Sequence, residues 1–531
     1  MGNTKRKAFE KHLILLMCLI LTVGLMPSTA LADESYPDVT TPVYAGVEPG
    51  QTPVVDVGNV TVSTSDPSNT FAVYSHARND TDATVNVHGS TTFEGTTTRG
   101  GTSAWARSTS GTSTIDVEKD VTVDLVFEEG GQHDVFGVDV SSEGAGAKTV
   151  ADIGGDVVAK TTRGDSSNAA IGTYGVVQAA ITNPGEQSAA SQIVLHGNVT
   201  AEAATTSGES IGSTSGLSVT AGEASKASTT VMGDVAAKGA TAFGVQASGS
   251  SSSSPSEATV MIGGNVIAES NSDKSDAHGL ELVATNSLVT VSIGGDVTST
   301  SSQNNAIGVS GSTTKGAINL LIEGTLTARK VGVVNASKDG QFDVTVWKID
   351  SDIVGGKFAR PFEYEEDAAT EKAINYIIKV EQPQEGNILK LVGTTLKEFT
   401  TLDGKRSFDV ANMDQKVYLN VEEGWIITAA FNGKGDKIAL EKDDQGWFVI
   451  VPNGGGVYLS AQVAKAGPAP TPTPVPSPTP AYNLGSDDEA GYLPATGDSP
   501  IAAMVLALAA MASLALGLFA ASRMNGRRSR S

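Results

Sequence analysis

A glycine, then an aspartate or asparagine, then a valine returns along this chain at near-constant intervals. The clearest copies are Ile153-Gly154-Gly155-Asp156-Val157, Ile262-Gly263-Gly264-Asn265-Val266 and Ile293-Gly294-Gly295-Asp296-Val297. Looser copies surround Asn59, Ser90, Asp120, Asn198, Asp234 and Thr325. The residue after the glycine, or its equivalent, falls at 59, 90, 120, 156, 198, 234, 265, 296 and 325, in steps of 29 to 42. Such a period with insertions marks stacked repeats, each burying its apolar face on its neighbours.

Each repeat is expected to carry two strand-like pieces. In the first, Val289, Val291 and Ile293 alternate with Thr290 and Ser292, a period of two with one face buried. The Gly-Asp or Gly-Asn that follows turns the chain, and Val297 starts the next strand. The second piece is short, as in Phe136-Gly137-Val138, Tyr174-Gly175-Val176 and Phe243-Gly244-Val245. Its glycine permits close backbone approach between coils. Serine- and glycine-rich loops such as Gly249 to Ser256 lie between. This pattern predicts an all-β fold, a parallel β-helix of about nine coils over residues 54–347, preceded by a lead-in at 33–53. An array of antiparallel sandwiches fits less well, since a sandwich needs about 100 residues.

From residue 348 to 463 glutamate, lysine and aromatic residues replace the glycine-serine loops, and Trp447-Phe448-Val449-Ile450-Val451 is one of several strand-like runs. The pattern predicts a small β-sandwich-like module, with a hairpin turn over Phe431 to Asp436. Residues 464–492 then form a proline-rich linker, which favours polyproline II and a semi-rigid spacer.

Leu493-Pro494-Ala495-Thr496-Gly497 is followed by an apolar run over 501–521 and by Arg523, Arg527, Arg528 and Arg530. At about 1.5 Å per helical residue, that run matches a bilayer core of roughly 30 Å. The arginines hold its far end on the cytoplasmic side. Residues 493–531 resemble the LPxTG sorting signal of Gram-positive cell-wall-anchored proteins. The resemblance implies a sortase as partner, cutting between Thr496 and Gly497 and passing the Thr496 carbonyl to peptidoglycan. This chain is the substrate in that reaction. The closing run Gly454-Gly455-Gly456-Val457-Tyr458-Leu459 also resembles the last strand of stalk-like modules in such surface proteins.

The first 32 residues agree with export. Lys5, Arg6, Lys7 and Lys11 precede an apolar stretch from Leu13 to Leu25, and Ala30-Leu31-Ala32 forms a small-x-small cleavage site at Ala30 and Ala32. The one cysteine, Cys18, lies inside that stretch, so the mature chain has no disulfide to staple it. The expected location is the cell wall, with the precursor held in the membrane by 501–521. The whole chain carries a formal charge of -23; without the surplus of three positive charges at each end, the mature part carries -29. That argues against nucleic acid as a partner.

No motif for catalysis, a metal or a cofactor emerges. His76, His88, His133, His196 and His278 lack any metal-binding spacing. His88 and His196 share a repeat position three rungs apart, about 14 Å, which suits turn histidines. Asp120, Asp156, Asp234 and Asp296 read as turn caps, with calcium ligation the alternative. Glu128-Glu129 and Glu365-Glu366-Asp367 read as solvated faces, and Arg78, Arg99 and Arg107 sit in early coils where a ligand contact is conceivable. Aromatics make up 5% of the chain and the acids look scattered. The expectation is therefore a non-enzymatic rod, adhesive or structural, whose partner is a host glycan or matrix molecule. The alternative is a wall-bound polysaccharide lyase or glycoside hydrolase. It would require acids and a basic residue to converge over coils two to four.

Overall fold

A computed structural model describes residues 36–46, 53–64, 70–128, 132–165, 170–271, 276–302, 306–350, 360–364, 375–381, 389–392, 397–400, 406–410, 416–431, 437–450 and 457–465. The expected signal peptide with Ala30 and Ala32, the part of the expected linker beyond Lys465, Leu493 to Gly497 and the 501–521 run lie outside the described residues. Among those described, no helix is long and apolar enough to cross a membrane.

The chain winds as a parallel β-helix with three strands per coil, one more than the two pieces expected. Coil one is Val43–Gly46, Val54–Val57 and Val60–Thr64; coil two is Phe71–Ala77, Ala83–Val87 and Thr91–Thr97. Coil three is Gly101–Ser108, Thr112–Val117 and Val121–Phe127; coil four is Gln132–Glu143, Lys148–Ile153 and Val157–Arg163. Each strand pairs in parallel with its counterpart one coil on, which makes three faces. The third strand was hidden because the glycine turn joins it to the second strand within a single apolar run. The coils number ten, not nine. Val331–Asn335 and Asp339–Asp350 complete one more turn without the glycine-aspartate signature.

The register explains the repeat. At the turn between the second and third faces, each aspartate or asparagine caps the coil that follows. The amide of Asp156 donates to Asp120 Oδ1 at 2.9 Å, Asn198 to Asp156 at 2.7 Å, Asp234 to Asn198 at 2.9 Å and Asn265 to Asp234 at 2.6 Å. Asp296 donates to Asn265 at 2.8 Å and Thr325 to Asp296 at 2.6 Å. From Asp156 to Asp296 carboxylate and carboxamide alternate, and each asparagine Nδ2 donates to the aspartate below at 3.1 Å. The alternation avoids like charges on adjacent rungs. The glycine before the cap leaves room for the carboxylate beneath: a Cβ at Gly264 would sit 2.2 Å from Asp234 Oδ1, and one at Gly155 2.2 Å from Asp120 Oδ1. Where the rung below carries Ser90 or Thr325 instead, the glycine gives way to Lys119 and Trp347.

The core is narrow. In coils four to eight the valine after the cap reaches across to a glycine on the first face of its own coil. A Cβ at Gly137 would meet Val157 at 2.7 Å, and one at Gly279 would meet Val297 at 2.6 Å. These valines are fully buried. Hydroxyls line the corners, as where Ser113 Oγ contacts Ser75 Oγ at 2.9 Å and Ser142 Oγ contacts Thr149 Oγ1 at 2.7 Å. These buried hydroxyls satisfy one another, as an interior requires.

Beyond coil ten, Asn375–Glu381 continues the second face through Thr345↔Asn375 and Val346↔Tyr376. It then pairs antiparallel with Arg406–Val410 and parallel with Val457–Lys465. A separate antiparallel sheet holds Leu389–Val392, Lys416–Val421, Glu441–Asp443 and Gly446–Ile450. Val417, Leu419, Ile427 and Phe448 are buried here.

Candidate functional site on the first face of the early coils

Alternation along the first-face strands turns Val73, Ser75, Ala104, Ala106, Val138 and Val140 inward, where they are buried. Tyr74, His76, Trp105, Arg107, Asp139 and Glu143 therefore point outward. In-register pairing places Tyr44, Tyr74, Trp105 and Asp139 in one column, and His76, Arg107 and Ser141 in the next. These residues stand about one repeat apart in sequence, so composition alone makes them look scattered.

The rings stack along the axis. The Tyr74 and Trp105 centroids are 4.3 Å apart at 18°, and those of Tyr44 and Tyr74 are 5.3 Å apart at 45°. Phe71 and His76 flank Tyr74, each with its centroid 5.4 Å away. Because Tyr74 covers one face of the indole, its other face looks toward coil four, where the column continues with Asp139 instead of a ring. Arg107 Nη2 donates to Glu143 Oε2 at 2.7 Å, and the guanidinium also bonds the Tyr74 hydroxyl. Arg107 Nε and His76 Nε2 are buried without a hydrogen-bond partner.

The site's electrostatics follow from this burial. Burial pushes the Asp139 carboxyl up to about 7, with Glu143 adding to the effect and Arg107 opposing it. Burial, then Arg107 and Arg78, lower the basicity of His76, which favours the neutral imidazole. Burial drives Tyr74 up to about 12, so its hydroxyl stays protonated. The cluster thus offers an apolar ring face, a carboxyl that titrates near neutrality, and donors with spare capacity. In later coils the same columns hold Val177, Ser218 and Gln246, and Ala179, Thr220 and Ser248. Coils therefore stack without the bulky residues that the first three carry in these columns.

Other residues singled out by sequence have local partners. His88 Nδ1 lies 2.8 Å from Glu118 Oε1 and its Nε2 3.6 Å from Asp56 Oδ1, while its ring stacks on Tyr36 at 3.8 Å. His196 Nε2 lies 3.0 Å from Asp152 Oδ1. Between these two histidines the second face carries Asp116, whose carboxyl is raised by burial and then by Asp152 and Glu118. His133 stacks on Phe127 at 4.7 Å and His278 leans on Phe243 at 5.2 Å. The Arg99 amide donates to Thr97 Oγ1 at 3.0 Å, away from the cluster around Arg107. Asp120, Asp156, Asp234 and Asp296 cap turns through the bonds described above. Among the described residues, no three histidine, cysteine, aspartate or glutamate side chains are placed to hold a metal ion. No protein-family model, curated protein or solved structure matches this chain.

Proposed function

We propose that this chain is a surface protein anchored to the cell wall through Thr496, displaying the β-helix as a non-enzymatic adhesive or structural rod. The observation that carries this reading is the order of Leu493 to Gly497, the apolar run 501–521 and the arginines behind it. A sortase and peptidoglycan are the partners this order calls for. The many-coiled β-helix supports the reading as well. Every interior strand is paired above and below, which gives stability without disulfides. The test is mass spectrometry of protein released from walls by a muramidase. The expected C-terminal residue is Thr496 bearing a peptidoglycan peptide, and release ending beyond Gly497 would refute the anchoring.

A second reading, a wall-bound polysaccharide lyase or glycosidase, is favoured by the meeting of Arg107 with Asp139 and Glu143 on coils three and four. The binding reading is preferred because both acids lie on one strand. Four residues apart, they project from the same side of that strand, whereas glycosidase carboxyls flank the scissile bond from facing positions.

A further inference from the structure

We infer that the first face of coils two to four is a saccharide site that receives an uncharged sugar ring on the free face of Trp105. This inference deepens the adhesive reading and rests on it for biological context, but not for its chemistry. Three observations converge. The Trp105 ring stacks on Tyr74, and the next rung of the column carries the shorter Asp139 side chain in place of a further ring. An indole face on which no further ring stacks suits the apolar C–H face of a pyranose. Next, Arg107 Nε and His76 Nε2 are buried and unpartnered beside that ring. Buried polar atoms are normally satisfied, so two orphans in adjacent rungs of one column ask for an external partner. Sugar hydroxyls, which both donate and accept, can serve them once the ligand displaces the side chains that enclose these atoms.

The charge balance selects the kind of sugar. Arg107 is neutralised by Glu143, and His76 favours its uncharged form. An anionic ligand would find Arg107 already paired and would meet Glu143 and a chain rich in negative charge. A cation would meet Arg107. A neutral polyol meets neither penalty. Specificity would come from hydroxyls that fit Arg107, His76 and Asp139, since a site built for hydrogen bonds rejects analogues that leave them unpaired.

The experiment uses the full chain immobilised on a surface. The probes are laminarin, xylan, chitohexaose and asialo-N-glycans, with sialyllactose and heparin as anionic counterparts. At least one neutral probe should bind saturably and shift tryptophan fluorescence. Trp105→Ala and Arg107→Gln should each weaken binding at least tenfold, while Gln246→Ala, on the same column farther along, should not. Arg107→Gln leaves the ring stack in place, so it keeps the test decisive if Trp105→Ala fails to fold. Binding of only the anionic probes, no binding of any probe, or neutral binding unaffected by a folded Arg107→Gln would each overturn the site. Sugar release abolished by Asp139→Asn would support the site while overturning the non-enzymatic reading.

Discussion

The turn between the second and third faces shows how one side chain writes its requirement onto the next coil. Asp234 occupies the space where a Cβ of residue 264 would stand, 2.2 Å away, so glycine there is a packing demand as well as a turn preference. Gly264→Ala should therefore destabilise the fold by about 1–3 kcal/mol through overpacking. Lys119→Ala should leave thermal stability within about 0.5 kcal/mol, because Ser90 beneath it has no carboxylate to clash. Equal losses for the two variants would refute this account of the repeat. Sequence made the glycine-aspartate pair legible, but not why Lys119 is an allowed exception; that depends on which residue lies one rung below. Asp139 makes a second prediction at this scale. Its carboxyl is raised to about 7 by burial, with Glu143 adding and Arg107 opposing, against roughly 3.9 in an unfolded chain. The folded state then binds the extra proton, so this contribution is present in full below about pH 4 and is lost as pH rises through 7. Asp139→Asn, neutral throughout, should remove that slope. Its melting temperature should gain on wild type between pH 5 and pH 8, and a difference that stays constant with pH would refute the assignment.

At the scale of elements, the alternation of Val289, Val291 and Ile293 and the glycine after each aromatic were both readable, because side-chain period and backbone contact are local properties. The third strand and the tenth coil were not. The former continues an apolar run through a turn, and the latter replaces the signature with Trp347-Lys348. The ring column from Tyr44 to Trp105 was missed for the same physical reason, since it exists only once the register stacks residues a repeat apart. Loop boundaries moved as well. Gly249 and Ser250 pair with Ala284 and Thr285, and Ser256 pairs with Ser287, so the free loop is Ser251 to Pro255. Glu223 fastens even this loop by accepting hydrogen bonds from the Ser253 amide at 3.2 Å and the Ser254 amide at 3.3 Å. Deleting Gly249 to Ser256 would thus remove ladder pairs along with the loop. Stacking makes a different defect informative. Val297 is buried against Gly279 in coil eight, and Val297→Asp leaves an uncompensated buried charge costing roughly 3–5 kcal/mol. Because each coil is held by its neighbours, amide exchange should quicken in coils seven and nine as well as eight. Exchange confined to coil eight would mean that the coils are independent.

At the scale of the whole molecule, the β-helix, the antiparallel module and the sorting cassette divide the work. The first presents a patterned face, and on the reading proposed above the last would commit the chain to the wall. The class of fold was legible because a period near 30 residues is a global property of the sequence. The candidate sugar site was not, because sparse aromatics become a surface only through register. Display at the wall is the claim on which the adhesive reading stands, and Thr496 is the atom-level hinge of that claim. The most direct measurement is the fraction of protein that remains with peptidoglycan after boiling in detergent, compared between wild type and Thr496→Ala in a sortase-bearing Gram-positive host. The account predicts retention of wild type and at least tenfold less of the variant, which should appear in the membrane or medium with an unchanged melting temperature. Equal retention of both proteins would contradict covalent anchoring through Thr496.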